Sequence, residues 1–194
     1  MKYFITASII GILGIGILLA FNNPSLKTAA NPDKEPIQAT ARGEIASGRD
    51  STLSIPALNL TAPVIFLNST KEDDIQNALK SGVVHYAGTA LPGQTGNAYI
   101  VGHSSDLPWT EGKFKSVFAK LPEIETGDLI KITEQTREHS YKVIETKIVK
   151  ADDLSVLNQP SDKKLLTLQT SYPLGTALGR FIVVAELVIL QTNR

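Results

Sequence analysis

The chain has 194 residues, with 19 Lys and Arg against 19 Asp and Glu, three histidines and no cysteine. Balanced charge removes the electrostatic case for a nucleic-acid partner. The missing thiols exclude disulfides, thiolate metal sites and a cysteine nucleophile.

Residues 3–21, YFITASIIGILGIGILLAF, carry no charge, and about 20 such residues cross a bilayer as a helix. Lys2 and the terminal amine precede them, which favours a cytoplasmic N-terminus. The run is longer than the ~7–15 apolar residues of a cleaved signal peptide. Residues 1–21 are therefore expected to form an N-terminal signal anchor, a single transmembrane helix in the cell membrane, with the C-terminal domain extracytoplasmic. Residues 22–50 contain Pro24, Pro32 and Pro36 and have no hydrophobic period, so a flexible tether is expected. Residues 51–194 are expected to form the folded domain.

From Ser51 onward, short β-rich runs recur between Gly, Pro and Asn turn signals, at 53–56, 63–67, 83–86, 98–101, 128–133, 141–149, 165–170 and 180–189. Regular short strands of this kind predict a sandwich or barrel, and closure removes the exposed edges. Ile130 and Ile132 alternate with Lys131 and Thr133, the pattern of a half-buried strand. The last run is apolar on both faces apart from Glu186, which suits a central strand. Short helices are expected at 71–80, ended by Gly82, and at 113–121. The fold class is thus mostly β, a closed or nearly closed barrel with short helices.

His139 lies in the polar stretch EQTREHS and is expected in a solvated hairpin turn. His85, among apolar neighbours, suits a structural imidazole bonded to backbone. His103 follows an apolar strand and Gly102, and precedes Ser104, Ser105 and Asp106. A titratable group where a strand gives way to a loop stands where sites are usually built. Ser171 ends the run LLTLQT, and Arg180 opens the next strand. Taken singly, Ser171 is equally a turn former and Arg180 a surface cation. No Gly-x-Ser-x-Gly elbow surrounds the serine, and the histidines have no metal-ligand spacing. The acidic clusters at 72–74 and 123–128 lack an EF-hand pattern, so no cofactor is expected and calcium stays an unsupported alternative.

The segments LSIPALNLTAPVIF, LKSGVVHYAGTALPGQTGNAYIVGHSS, FKSVFAKLPEIETGDLIKI and LLTLQTSYPLGTALGR occur in this order. Together they resemble the sortases, membrane-anchored transpeptidases that attach proteins to bacterial cell walls, and the resemblance covers 53–187. It implies a β-barrel of about eight strands. Gly102-His103 matches the family's histidine motif, Thr167-Leu168-Gln169-Thr170 its Thr-Leu-x-Thr strand end, and Arg180 its arginine. Where the family carries its nucleophilic cysteine, this chain has Ser171.

The resemblance implies cleavage of a Leu-Pro-x-Thr-Gly-like sorting signal at Thr–Gly and transfer of the acyl group to an amine. The implied catalytic residues are His103, Ser171 and Arg180. The implied partners are sorting-signal peptides of surface proteins, an amine acceptor such as a cell-wall precursor or a pilin lysine, and the membrane. Thr170 is a candidate substrate contact, and Val101, Ala87 and Leu168 are candidate pocket walls, with the connection 150–164 over the groove. A hydroxyl, unlike a thiol, needs a general base as it attacks, so His103 would have to be neutral. Three readings stay open: a serine-dependent sortase-like acyltransferase or hydrolase, a catalytically impaired peptide-binding module, and a sortase inactivated by Cys-to-Ser exchange.

Overall fold

The computed structural model describes residues 50–105 and 113–188. The expected membrane helix and tether, apart from Asp50, lie outside the described residues, as does Asp106. Eight strands form in chain order: β1 Ser51–Ile55, β2 Leu60–Phe66, β3 Val83–His85, β4 Gly96–Val101, β5 Leu129–Glu134, β6 Arg137–Lys150, β7 Lys164–Tyr172 and β8 Gly179–Val188. They close into a barrel in the order β1-β2-β3-β4-β7-β8-β6-β5.

Two pairings are parallel, β2 with β3 and β4 with β7. Parallel neighbours need a crossover, because a tight turn can only reverse the chain. The helix α1, Glu72–Leu79, lies in the first crossover. Its Ile75, Ala78 and Leu79 recur at helical spacing and bury against Val84 and Leu67, with Ile65, Tyr86 and Val101 packed alongside. Gly82 closes this crossover tightly, since a Cβ there would stand 2.3 Å from Pro63 O.

Strand alternation fills the barrel. Leu53, Ile55, Ile100, Ile130, Ile132, Leu166, Leu168 and Val183 all belong to the inner core, and each such side chain contributes roughly 1.5–3 kcal/mol on burial. Phe118 and Leu121 join it from the connection between β4 and β5.

Two local expectations differ from the structure. Residues 113–120 form consecutive turns, followed by a 3-10 helix at Leu121–Glu123, rather than a helix over 113–121. The Phe118 amide bonds His103 O at 2.8 Å, so it is unavailable to its own helical partner, and neighbouring amides make i to i−3 bonds instead. Pro122 also disfavours α-helix at the residue before it. His139 is not in the turn but in β6, opposite Ile132. The turn itself is Gln135-Thr136, with Gln135 at φ 52°, the left-handed backbone that two-residue hairpins use.

Candidate active site

Position in the barrel assembles the site. β4 and β7 run parallel, with Val101 beside Gln169. The pairing continues past Val101: Gly102 N donates to Gln169 O at 3.1 Å, and Thr170 Oγ1 donates to Gly102 O at 2.8 Å. Two residues beyond the Val101–Gln169 pair, His103 and Ser171 therefore stand level at the same barrel end. Across the antiparallel β7–β8 ladder, Ser171 is directly opposite Arg180. His103 just beyond β4, Ser171 on β7 and Arg180 on β8 thus come to the same barrel end.

The alternation decides which way each residue faces. Leu166, Leu168 and Phe181 point into the barrel, so Gln169, Ser171 and Arg180 lie on its outer face. Leu168 is fully buried in the core and does not wall a groove, contrary to expectation. Thr170 also faces inward, 2% exposed, and its hydroxyl is spent on Gly102 O, so it supports the His103 segment rather than a substrate. Val101 is half-buried on the outer face beside the α1 cluster. Ala87 is half-buried in the turn after β3.

The segment carrying His103 is held closely. Gly102 admits no side chain, because a Cβ would stand 2.5 Å from the Phe118 ring. Beyond it, Ser105 Oγ accepts from Gly175 N at 3.0 Å, tying this segment to the β7–β8 turn. His85 is buried; its Nε2 lies 2.8 Å from Ala90 O and its ring packs on Phe66. It therefore anchors the β3–β4 loop, as the sequence suggested.

Arg180 is half-buried, and its Nη1 donates to Gly179 O at 2.9 Å and Ala177 O at 3.3 Å. Burial lowers its pKa from the ordinary value, against the opposing influence of Tyr99 and Glu72. Tyr99 is buried on the same outer face, and its hydroxyl donates to Gln169 Oε1. Burial pushes the Tyr99 phenol well above its ordinary value, with Arg180 pulling the other way. Ser171 is half-buried, and its Oγ makes no hydrogen bond to any described residue.

The connection from β6 to β7 lies against β4. It begins at Lys150, which pairs with Gly179 near the site, and ends at Lys164, which pairs with Gly96 at the far end. A 3-10 helix, Leu154–Leu157, forms within it, and Asp153 caps this by accepting from Ser155 N at 2.9 Å. Gln159 fastens the connection to β4. Its Oε1 accepts from Asn97 N at 3.0 Å and Ala90 N at 3.2 Å, while its Nε2 donates to Asn97 O at 3.1 Å. Asn97 returns a bond from Nδ2 to Val156 O at 3.1 Å. Among the described residues, no cluster of three or more His, Asp or Glu side chains is placed to hold a metal ion.

Sequence reasoning passed over Tyr99, Gln169 and Gln159. Gln169 had a signal, as a polar residue in the variable position of Thr-Leu-x-Thr. Gln159 had none, since its partners lie 62 and more positions away.

The residues bearing an imidazole, a hydroxyl and a guanidinium thus share one end of the barrel, on its outer face. The model of the sortase domain family matches residues 53–188, and the chain belongs to that family. Sortase D of Bacillus subtilis (strain 168) is 31% identical over 139 residues, covering 70% of this chain. The chain spans 62% of the length of that curated relative. Among solved structures, Sortase A from Corynebacterium diphtheriae matches at TM-score 0.62 and 26% identity, covering 80% of this chain and 66% of that one. A Clostridium perfringens Sortase D5 transpeptidase matches at TM-score 0.60 and 27% identity, covering 73% and 79%.

Proposed function

We propose that the protein is a membrane-anchored transpeptidase that cleaves a Leu-Pro-x-Thr-Gly-like sorting signal and passes the acyl group to an amine. The single observation that carries this reading is the shared barrel end of His103, two residues past β4, and of Ser171 and Arg180, paired across β7 and β8. Family membership and the resemblance to a described transpeptidase support it, and the uncharged stretch 3–21 supports the anchor.

Neutral His103 takes the Ser171 proton as Oγ attacks the threonine carbonyl carbon. The carbonyl oxygen becomes an oxyanion, which Arg180 stabilises with the donors not committed to the turn. Collapse breaks the Thr–Gly C–N bond, and His103 returns the proton to the departing glycine amine. The product is an ester on Ser171. An amine then attacks this ester, His103 mediates its proton, and the new amide leaves with Ser171 restored. Water in place of the amine gives hydrolysis.

A second reading, a peptide-binding module impaired in catalysis, is favoured by one observation. Ser171 Oγ makes no hydrogen bond to a described residue.

Intact mass spectrometry after incubation with a Leu-Pro-x-Thr-Gly peptide separates these readings. An acyl adduct on the wild type that disappears in Ser171→Ala supports the working serine. Binding without an adduct supports the module. An adduct only in Ser171→Cys shows a site still built for thiol chemistry, and absence of both adduct and binding overturns the peptide reading.

A further inference from the structure

We infer that Gln169 is a substrate-contacting residue, its carboxamide oriented by Tyr99 so that Nε2 donates to a main-chain carbonyl of the bound peptide. This deepens the peptide reading above and rests on it.

Gln169 stands on the outer face of β7, two residues before Ser171 and beside Val101. Its carboxamide has one acceptor and two donors. The acceptor, Oε1, is taken by the Tyr99 hydroxyl. With that hydroxyl donating, Oε1 is turned to Tyr99 and Nε2 is turned away from it. Burial keeps the Tyr99 phenol protonated, and thus a donor, across the neutral and mildly alkaline range.

Nε2 makes no hydrogen bond to any described residue, and it is not sealed from solvent, because Gln169 is half-buried and absent from the fully enclosed unpaired atoms. Among the described residues that donor is unspent, and it stands on the outer face of β7. Gln159, by contrast, spends its Nε2 on Asn97 O and Leu157 O.

The spacing sets which carbonyl is met. Two residues of β-strand span about 6.8 Å, so the donor stands roughly two extended peptide residues from the attacking oxygen. In a Leu-Pro-x-Thr-Gly signal, four of the five residues precede the scissile bond. Two residues before threonine is proline, whose carbonyl is an acceptor without an N–H of its own to offer.

The test measures binding of a fluorescent Leu-Pro-x-Thr-Gly peptide to the full-length protein in detergent, with Ser171→Ala as background to stop turnover. A second peptide carries an ester in place of the Pro–x amide, which weakens the proline carbonyl as an acceptor. Gln169→Leu is expected to weaken amide-peptide binding by about 5- to 10-fold, as for one lost hydrogen bond. In the background that retains Gln169, the ester peptide is expected to bind more weakly than the amide peptide by a similar factor. In Gln169→Leu the two peptides should bind almost equally, because the donor that distinguishes them is gone. Tyr99→Phe should weaken amide-peptide binding by less than Gln169→Leu, because the amide then turns freely but keeps its donors. Equal ester penalties with and without Gln169 overturn the assignment while leaving the peptide reading intact. No binding of either peptide by the protein that retains Gln169 overturns both.

Discussion

Ser171 and Arg180 face one another across the antiparallel β7–β8 ladder, one register step from the pair Tyr172 and Gly179 where the ladder ends. A turn separates them in sequence, yet the ladder makes them immediate neighbours on the outer face. Arg180→Ala is expected to lower kcat for peptide cleavage by about 100- to 1,000-fold, as for removal of an oxyanion donor. Arg180→Lys should not restore it, since an ammonium lacks the fixed fork of donors. Thermal unfolding should change little, and a parallel fall in Tm would assign the loss to folding instead.

Gly102 lies against the Phe118 ring at a distance that excludes a Cβ. Gly102→Ala is expected to destabilise the domain by roughly 1–3 kcal/mol through overpacking. It should also displace His103, the next residue, and reduce turnover beyond the stability loss. Adding Phe118→Leu should recover part of both effects, measured by denaturant unfolding and peptide cleavage together.

Gln159 holds the amides of Ala90 and Asn97 through one oxygen. Gln159→Ala strands the Asn97 amide, which belongs to a residue only 4% exposed, at a cost of about 1–3 kcal/mol. Hydrogen exchange should speed up at Ala90, Asn97 and the 3-10 helix Leu154–Leu157, while β6 and β8 stay protected. Uniform acceleration over the barrel would show that Gln159 supports the whole fold rather than the β6–β7 connection.

Tyr99, Tyr141 and Tyr86 all have pKa values raised in the folded protein, with burial the largest cause for each. A phenol with a raised folded pKa holds its proton when the unfolded chain has already released it. Stability is therefore fully present below about pH 10, the unfolded tyrosine value, and is lost as pH rises above it. Urea midpoints should fall on going from about pH 9 to about pH 11, and Tyr99→Phe should flatten that decline.

Asp153 titrates in the opposite sense. Its bonds to Ser155 hold its carboxyl below the ordinary value, so the cap is intact above the unfolded carboxylate range. It weakens as pH falls through the lower folded value. Acidification below the usual carboxylate range should lower the protection of the Ser155 amide in the wild type, measured as its exchange rate relative to an unstructured amide at the same pH. In Asp153→Asn the protection of the same amide should show no carboxylate titration.

Much of this fold was legible in the chain because its signals are local. Short apolar runs between turn residues marked all eight strands, Gly82 closed the first crossover, and α1 announced itself by apolar spacing. The expected helix over 113–121 failed because a distant acceptor, His103 O, took the Phe118 amide. The strand position of His139 was hidden because a polar outer face looks like a loop when its ladder partners are unknown.

For the site, sequence alone determined the residue types and the order of the motifs, and hence the resemblance to the family. Tertiary structure alone decided facing and neighbourhood. It turned Leu168 and Thr170 inward, set Ser171 against Arg180, and brought Tyr99 to Gln169 across 70 positions. The reason is physical. Strand period is a property of consecutive residues, whereas barrel closure and register depend on which distant strands share hydrogen bonds.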